Sequence, residues 1–518
     1  MPHYFGIDLG TTNSAIAYLD ENGQPTVVPN TVTGHPTTPS VVYFQEPTEV
    51  AVGDVARNAA IAEPEFVVSL VKRSMGEART FTMHGIGHTP ESISALILRH
   101  LFEDAQQVLD SDDNSVVITV PAYFGMRETQ ATVEAGTLAG LNVVSTIPEP
   151  IAAALHYGCA PGNSVDTLLV FDLGGGTFDT SILRIGAKSI DTVVVDGDRK
   201  LGGSDWDLRI AQWLTEQFAE RSDCDPTELA EPGFQQLVLQ QAEAAKIQLS
   251  QVPSTKVPIR FGAKAVTVVL TREVFEELTA DLLDRAVDVV RRTLATAATT
   301  SIRAKDISDV LLVGGATLMP SVQHRLSREF GWSCRRVDPH LAVVKGAAIY
   351  AEGLRGQATG EVVRELPKVR KVLPRSFGVR LDRETSPHRE HLYIEYIAKA
   401  NDPLPIAQRR LITATKIDNV ETQSFHFFEQ NGDTPSPVIA LNREVTPPGG
   451  FVFHDLPRLP KGSRITILVS VNEDGLATVE AYEGRSGQRL ETNVQLGVLQ
   501  EEQLRELERA LDEVELLH

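Results

Sequence analysis

The chain has 518 residues, enough for two to four domains that each bury a core. Charged residues make up 23 % and hydrophobic residues 42 %, the balance of a soluble globular protein, and a net charge of −21 repels nucleic acid and anionic membrane at long range, so neither is expected as a partner. Cys159, Cys224 and Cys334 have neither metal-ligand nor disulfide-framework spacing, no apolar run reaches membrane-spanning length, and Met1 leads straight into an apolar strand, so a cytoplasmic location is expected.

In chain order, Phe5-Gly6-Ile7-Asp8-Leu9-Gly10-Thr11-Thr12-Asn13-Ser14-Ala15-Ile16-Ala17 reads as strand, turn and strand, with threonine hydroxyls in the turn. Val27-Val28 and Val41 to Phe44 are short strands. A helical pattern runs from Asp54 towards Gly76, and near its end Lys72 is either a phosphate-reaching cation or half of a solvated Lys-Arg pair. Helices from Thr89 through Leu101 and from Glu128 to Ala139 flank a buried strand, Ser115 to Pro121, and this alternation predicts an α/β fold. Glu149, between Pro148 and Pro150, opens an Ala-rich helix; it is either a helix-dipole partner or a rigidly mounted, water-orienting carboxylate.

Phe171-Asp172-Leu173-Gly174-Gly175-Gly176-Thr177-Phe178-Asp179 repeats the first unit: an apolar strand, an Asp-Leu-Gly turn with oxygen-bearing side chains, then another strand. By itself it reads equally as a Gly-rich hairpin turn or as a cradle whose backbone N–H groups approach phosphate while Asp172, Thr177 and Asp179 offer oxygens to Mg²⁺ or water. The twin favours two related halves gripping one ligand. Downstream, Leu201-Gly202-Gly203 is a tight turn before a helix near Trp206. Glu243, Lys246 and Ser250 share one helix face, as a binding stripe or a solvated ion-pair stripe. Val310 to Gly314-Gly315 is a buried strand ending in glycines before a helix at Pro320, and Gly346-Ala347-Ala348 suits close helix packing.

Residues 361–380 hold six basic side chains, Arg364 and Lys368 among them, against Glu361 and Glu365, and read as a linker without periodic structure. From Phe377 to about Leu496 short alternating strands divided by turns such as Asn431-Gly432 and Pro447-Pro448-Gly449-Gly450 predict an all-β domain. Glu501 to Leu517 is a predicted helix whose Leu504, Leu507, Leu511 and Val514 form one stripe, expected to dock on its own domain.

Together the two phosphate turns, Val120-Pro121-Ala122-Tyr123-Phe124, Glu149-Pro150-Ile151, Leu201-Gly202-Gly203, Glu243 to Ser250, Val313-Gly314-Gly315-Ala316-Thr317 and Gly346-Ala347-Ala348 resemble the seventy-kilodalton heat-shock (DnaK-like) chaperones over nearly the whole chain. The resemblance implies an actin-like (ribonuclease H-like) two-lobed α/β ATPase over 1–357, a linker over 358–376, a β-sandwich substrate-binding domain over 377–497 and a remnant lid helix over 498–518. It implies ATP/ADP and Mg²⁺ as ligands, with Asp8, Asp172 and Asp179 holding Mg²⁺ partly through water. Gly10, Thr11, Thr12, Asn13, Gly174, Gly175, Gly176, Gly202 and Gly203 would contact nucleotide, with Lys72 near the terminal phosphate, Glu149 orienting water, Thr177 and Asp179 at the reacting end, and Glu243, Lys246, Ser250, Gly314 and Gly315 at the adenosine. Pro121 would relay nucleotide state. Extended polypeptide segments, a J-domain co-chaperone and a nucleotide exchange factor are the implied partners.

Departures accompany the likeness. Ala316 and Leu318 replace a polar residue and an adenine-stacking arginine, His340-Leu341 replaces an acidic pair, Thr129 stands where a relay arginine is usual with Arg127 nearby, and the linker is basic. The segment 382–391 is polar where a peptide-enclosing arch is apolar, leaving Val379, Ile397 and Phe425 as weak peptide-binding candidates. A second reading is therefore a nucleotide-switched adaptor for one protein partner, and a third is a filament-forming actin relative, which the β domain disfavours.

Overall fold

The two Asp-Leu-Gly turns each close a hairpin, and around each hairpin the chain builds the same sheet. The computed structural model describes all residues except 1–2, 110–112, 159–165, 226, 361–364, 387–388, 447–449, 485–486, 488, 494–498, 500 and 518. Cys159, Glu361, Arg364, the Pro447-Pro448-Gly449 turn, the middle of the polar 382–391 segment and the end of the β-rich stretch therefore lie outside the described residues.

The first unit comprises β1 (Phe5–Asp8), β2 (Asn13–Leu19), β3 (Pro25–Val27), β4 (Thr38–Pro39), β5 (Val41–Phe44), β6 (Glu49–Val52), α1 (Asp54–Ala62), β7 (Val67–Ser69), β8 (Phe81–Met83), β9 (Ile86–His88), α2 (Pro90–Leu109), β10 (Ser115–Val120), α3 (Met126–Leu138), β11 (Asn142–Pro148) and α4 (Glu149–Gly158). The second comprises β12 (Thr167–Leu173), β13 (Phe178–Ile185), β14 (Ser189–Asp198), α5 (Gly203–Ser222), α6 (Pro232–Leu249), β15 (Ser254–Phe261), β16 (Lys264–Thr271), α7 (Arg272–Leu278), α8 (Ala280–Ala298), β17 (Asp309–Val313), α9 (Pro320–Phe330), β18 (Cys334–Arg336) and α10 (Ala342–Thr359). Strand order is β11-β10-β1-β2-β3 in one sheet and β18-β17-β12-β13-β14 in the other. Both run three parallel strands into two antiparallel ones. Because β10 and β12 are buried along their whole length, they read as continuous apolar runs rather than alternating ones.

Between the sheets α4 crosses α10, and small residues set the distance. A Cβ on Gly346 would lie 1.7 Å from the Ala152 carbonyl oxygen, and one on Gly6 of β1 would lie 2.2 Å from the Ala348 nitrogen. Only glycine admits these approaches.

The expected single helix towards Gly76 is instead α1, β7 and a 3₁₀ turn, Val71–Ser74, because Pro64 interrupts the pattern after Ala62. The basic stretch is not without structure either: α10 continues to Thr359, and β19 (Lys368–Arg370) adds in parallel to β14 as an edge strand, with Arg370 3.2 Å from Asp191.

Then follow β20 (Phe377–Ser386), β21 (Arg389–Ala398), β22 (Ile406–Ala414), β23 (Gln423–Phe425), β24 (Phe427–Gln430), β25 (Asn442–Glu444), β26 (Phe451–Phe453), β27 (Arg464–Val471), β28 (Ala477–Glu483) and β29 (Arg489–Asn493). Two antiparallel sheets, β21-β20-β24-β25 and β22-β27-β28-β29, share one core built on Phe377, Phe427, Ile465 and Ile467. β28 alternates buried and half-buried residues, as a sheet covered on one face requires.

The chain closes with α11 (Glu501–Asp512) and β30 (Glu515–Leu517). The leucine stripe does not dock on the β unit. Leu504, Leu507, Leu511 and Val514 join the core of the first unit, Arg99 of α2 donates to the Leu511 and Val514 carbonyls at 2.9 and 3.1 Å, and β30 pairs in parallel with β6. The expected last helical turn is thus a strand, since the β6 edge offers backbone partners that a helix end lacks. Among the described residues no helix is long and apolar enough to cross a membrane.

Beneath this strap Glu134 of α3 is buried near Glu91 of α2. Burial lifts its carboxyl to about 7, with Glu91 adding to the rise and a bond from Gln130 opposing it. A folded pKa above the unfolded value contributes stability that is present at low pH and lost as pH rises through about 7. Glu134→Gln is therefore expected to stabilise the protein by roughly 2–3 kcal/mol at pH 8 and by little near pH 4.5. Urea denaturation at the two pH values checks this; equal effects at both would refute it.

Candidate functional site

The two hairpin turns meet face to face. A Cβ on Gly175 would lie 2.2 Å from Thr12 Oγ1 and one on Gly176 would lie 2.2 Å from Thr11 Cγ2, so the triple-glycine turn is bare because the other turn's threonines occupy that space. The Gly203 N–H donates to the Gly174 carbonyl at 2.9 Å and the Ser204 N–H to the Gly175 carbonyl at 2.8 Å, which tie the N-terminus of α5 to the same turn. The turn is a hairpin, with Leu173 paired to Phe178 across it, and it lines a cavity of about 710 Å³.

That cavity is walled by Asp8, Gly10, Thr11, Thr12, Asn13, Lys72, Glu149, Asp172, Gly174, Gly175, Thr177, Gly203, Glu243, Lys246, Ser250, Gly314 and Gly315. Gly176, Gly202 and Asp179 stand behind it: a Cβ on Gly202 would lie 2.5 Å from the Gly176 nitrogen, and Asp179 is buried with Oδ1 accepting the Tyr123 N–H at 3.0 Å. Pro121 ends β10 outside the cavity, its carbonyl accepting the Phe124 N–H at 3.1 Å, in the segment leading to α3. Gly314 takes φ 84° where a Cβ would meet the Leu173 carbonyl oxygen at 2.3 Å, so the turn needs glycine on two counts.

Lys72 is no solvated helix-end charge. It is buried on the 3₁₀ turn, and its Nζ donates to Glu149 Oε1 at 2.7 Å. Burial works against its ammonium, but Glu149, Asp8 and Asp179 together hold its pKa above the ordinary value. The carboxylates lack an equivalent balance. Burial, then the Glu149 charge, lifts Asp8 to about 6 against Lys72 and a 3.0 Å bond from Thr119; the same two causes lift Asp179 to about 8 and Asp172 well above its usual range. Among the described residues Asp172 Oδ2 has no hydrogen-bond partner.

Three carboxylates and Glu149 thus face one ammonium, and a divalent cation is the charge that would relieve them. Among the described residues no three His, Cys, Asp or Glu side chains converge closely enough to ligate one ion directly.

Several contacts were not legible beforehand. Arg73, beside Lys72, donates to the Gly176 carbonyl at 2.8 Å and pairs with Asp205 at 2.5 Å, pinning the turn. Lys246 pairs with Asp207 at 2.7 Å and Glu243 with Arg57 of α1, so the stripe is both cavity wall and ion-paired face. Lys72 and Arg73 read as a single charged pair in sequence; nothing there shows that one turns into the cleft and the other across it.

In the β unit Val379, Ile397 and Phe425 are 0, 9 and 5 % exposed and belong to the sandwich core. They present little surface to a peptide in this conformation, because alternation puts strand apolar residues inward.

A cleft built from two repeated sheets, with mirrored Asp-Leu-Gly turns and a buried Lys–Glu pair, defines a phosphate-handling α/β protein. Residues 4–84 and 78–515 match the Hsp70 protein family. The chain belongs to the Hsp70 family, whose members are ATP-dependent chaperones. It is 35 % identical over 491 residues to the chaperone protein DnaK of Thermotoga petrophila, covering 93 % of this chain and 78 % of that protein.

Proposed function

We propose that the chain is a Mg²⁺-dependent ATPase of two actin-like lobes, over 1–357, whose cycle controls the grip of a β-sandwich, over 377–497, on extended polypeptide segments. The observation that carries this is the meeting of the two turns around Lys72, Glu149, Asp8 and Asp172 in one cavity, with Asp179 buried behind it. Thr11, Thr12, Gly174, Gly175 and the Thr177 hydroxyl hold the phosphates through backbone N–H groups and side-chain oxygens. Lys72 sets its charge at the terminal phosphate, and Glu149, fixed by Lys72 and by Pro150, orients the attacking water. A hydrated Mg²⁺ beside Asp8, Asp172 and Asp179 supplies the charge that offsets the phosphates when bound. Glu243, Lys246, Ser250, Gly314 and Gly315 receive the adenosine end. A J-domain co-chaperone and a nucleotide exchange factor are the expected regulators and the cytoplasm the expected location.

The burial of Val379, Ile397 and Phe425 favours a second reading, an adaptor that switches its hold on one folded partner. An array of apolar heptapeptides probed with the full chain, with and without ATP and Mg²⁺, separates them. The chaperone reading expects peptide binding that ATP weakens. No peptide binding in either condition, together with capture of a single folded protein, would transfer support to the adaptor.

A further inference from the structure

Away from the three carboxylates the cleft becomes apolar. Ile247 of α6 lines it although 55 % exposed, and Ala316, Leu318 and Met319 face the same end from the turn after Gly315. An aliphatic slot open to water suits a flat heterocycle, yet aliphatic walls alone hold a base weakly and without preference.

Two cations line this end, and Lys246 is paired with Asp207, which leaves Arg336. Arg336 closes β18, in register with Leu312 near the end of β17, and its Nη2 donates to the carbonyl of buried Thr317 at 2.9 Å. The basic side chains around it are committed elsewhere: Arg335 lies 2.8 Å from Asp309, and Lys345 pairs with Asp338. Among the described ion pairs Arg336 has no carboxylate. Its guanidinium is thus fixed at one corner by a neutral carbonyl of the same short turn, Gly315–Leu318, that carries Leu318 into the cavity.

We propose that Arg336 is the base-recognition residue of this cleft, its guanidinium stacking on the purine that the slot between Ile247 and Leu318 encloses. The assignment rests on the nucleotide reading of the cavity. A guanidinium is suited to this task where an ammonium is not, because its delocalised plane stacks on an aromatic face while an edge keeps its hydrogen bond. The sequence position that would supply a stacking cation from the turn itself holds Leu318. The cation arrives here from the neighbouring strand.

The test is calorimetric titration of the full chain with ADP and with tripolyphosphate, a probe that has phosphates but no base. In Arg336→Met, ADP affinity is expected to fall about tenfold. Arg336→Lys should show most of that loss, since charge without a plane does not replace the contact, and tripolyphosphate should bind all variants alike. Adding Leu318→Arg to Arg336→Met should restore ADP affinity from the other wall.

ADP affinity in Arg336→Met within twofold of the parent would overturn the assignment, as would an equal loss of tripolyphosphate, which marks a general charge effect. A parent chain that binds neither ADP nor ATP would overturn the nucleotide reading itself, a result distinct from tight parental binding that ignores Arg336.

Discussion

Lys72→Ala is expected to hydrolyse ATP about 10²–10³-fold more slowly than the parent while still binding it. The ammonium is buried, donates to Glu149 at 2.7 Å and is the cation that Glu149, Asp8 and Asp179 share. Removing it withdraws a positive charge that is already oriented where the transferred phosphoryl group carries negative charge, and it frees Glu149 from the geometry that lets it position water. The binding contacts from the two turns and the adenosine end are untouched, so the loss should fall on kcat. Single-turnover hydrolysis with excess enzyme, alongside an arm containing a chelator, measures it. A rate within threefold of the parent would reject the assignment. In the nucleotide-free protein the same change leaves four carboxyl groups without their cation, and a drop of about 3–5 kcal/mol in unfolding free energy is expected. Lys72→Arg separates the two effects, since it keeps the charge but not the point geometry.

The repeated turn was legible in sequence because both copies carry small and oxygen-bearing residues at the same spacing, and Gly175 and Gly176 are bare where Thr12 and Thr11 of the other copy pack against them. The α/β character of the first half was legible from helices flanking the buried apolar run Ser115 to Pro121. What was not legible depends on partners distant in the chain. Nothing local in Leu504, Leu507 and Leu511 tells whether their stripe lands on the β unit or on α2 and α3; an amphipathic helix specifies a face, not an address. Lys368–Arg370 lacks periodicity, yet it forms a strand because the free edge of β14 supplies the hydrogen bonds. Val379, Ile397 and Phe425 are apolar, which suits a peptide groove and a sandwich core equally. The residues joining the units, Arg375 above all, were counted as linker charge when their role is set by carboxylates at Glu128 and Glu429.

Glu128→Ala is expected to detach the β unit from the first two. Glu128 is 1 % exposed, lies 2.8 Å from Arg443 Nη1 and 3.7 Å from Arg375 Nη1, and also pairs with Arg199, so one buried carboxylate holds three guanidinium groups from three parts of the chain. Burial would raise its pKa, but Arg375, Arg443 and Arg199 overcome this and hold it down to about 2. A depressed folded pKa contributes stability above the unfolded value near 4.5 that is lost as pH falls towards about 2, so docking should weaken over that window. Glu429, which accepts the Met126 N–H at 3.0 Å and whose carboxyl is raised by burial and by Glu128, opposes part of this trend.

The cluster also touches the group behind the nucleotide cleft through one residue, Tyr123, by its N–H on one side and its carbonyl on the other. Asp179 accepts the Tyr123 N–H at 3.0 Å, the Tyr123 carbonyl accepts from Arg375 Nη2 at 3.0 Å, and the Arg375 guanidinium lies over the Tyr123 ring at 4.7 Å. A change of charge around Asp179 thus bears on the group that anchors Glu128. Removing Glu128 leaves Arg375, itself 1 % exposed, with Glu429 as its remaining buried carboxylate, and leaves Arg199 and Arg443 without theirs, at a cost of about 3–5 kcal/mol that the chain relieves by letting the β unit swing away so that the arginines meet water. Removing Arg375 leaves Glu128 paired to two other arginines, so Arg375→Ala should dock normally but lose its response to ATP. Fluorescence transfer between dyes on α8 and β22 reads both: low transfer with and without ATP in Glu128→Ala, and parental transfer without an ATP response in Arg375→Ala. Parental behaviour in both variants would place the coupling elsewhere, with Lys371–Asp474 at 3.2 Å the next contact to test. The order of the two phenotypes carries the argument, because a merely structural cluster would make the loss of either partner undock the β unit in proportion to its charge.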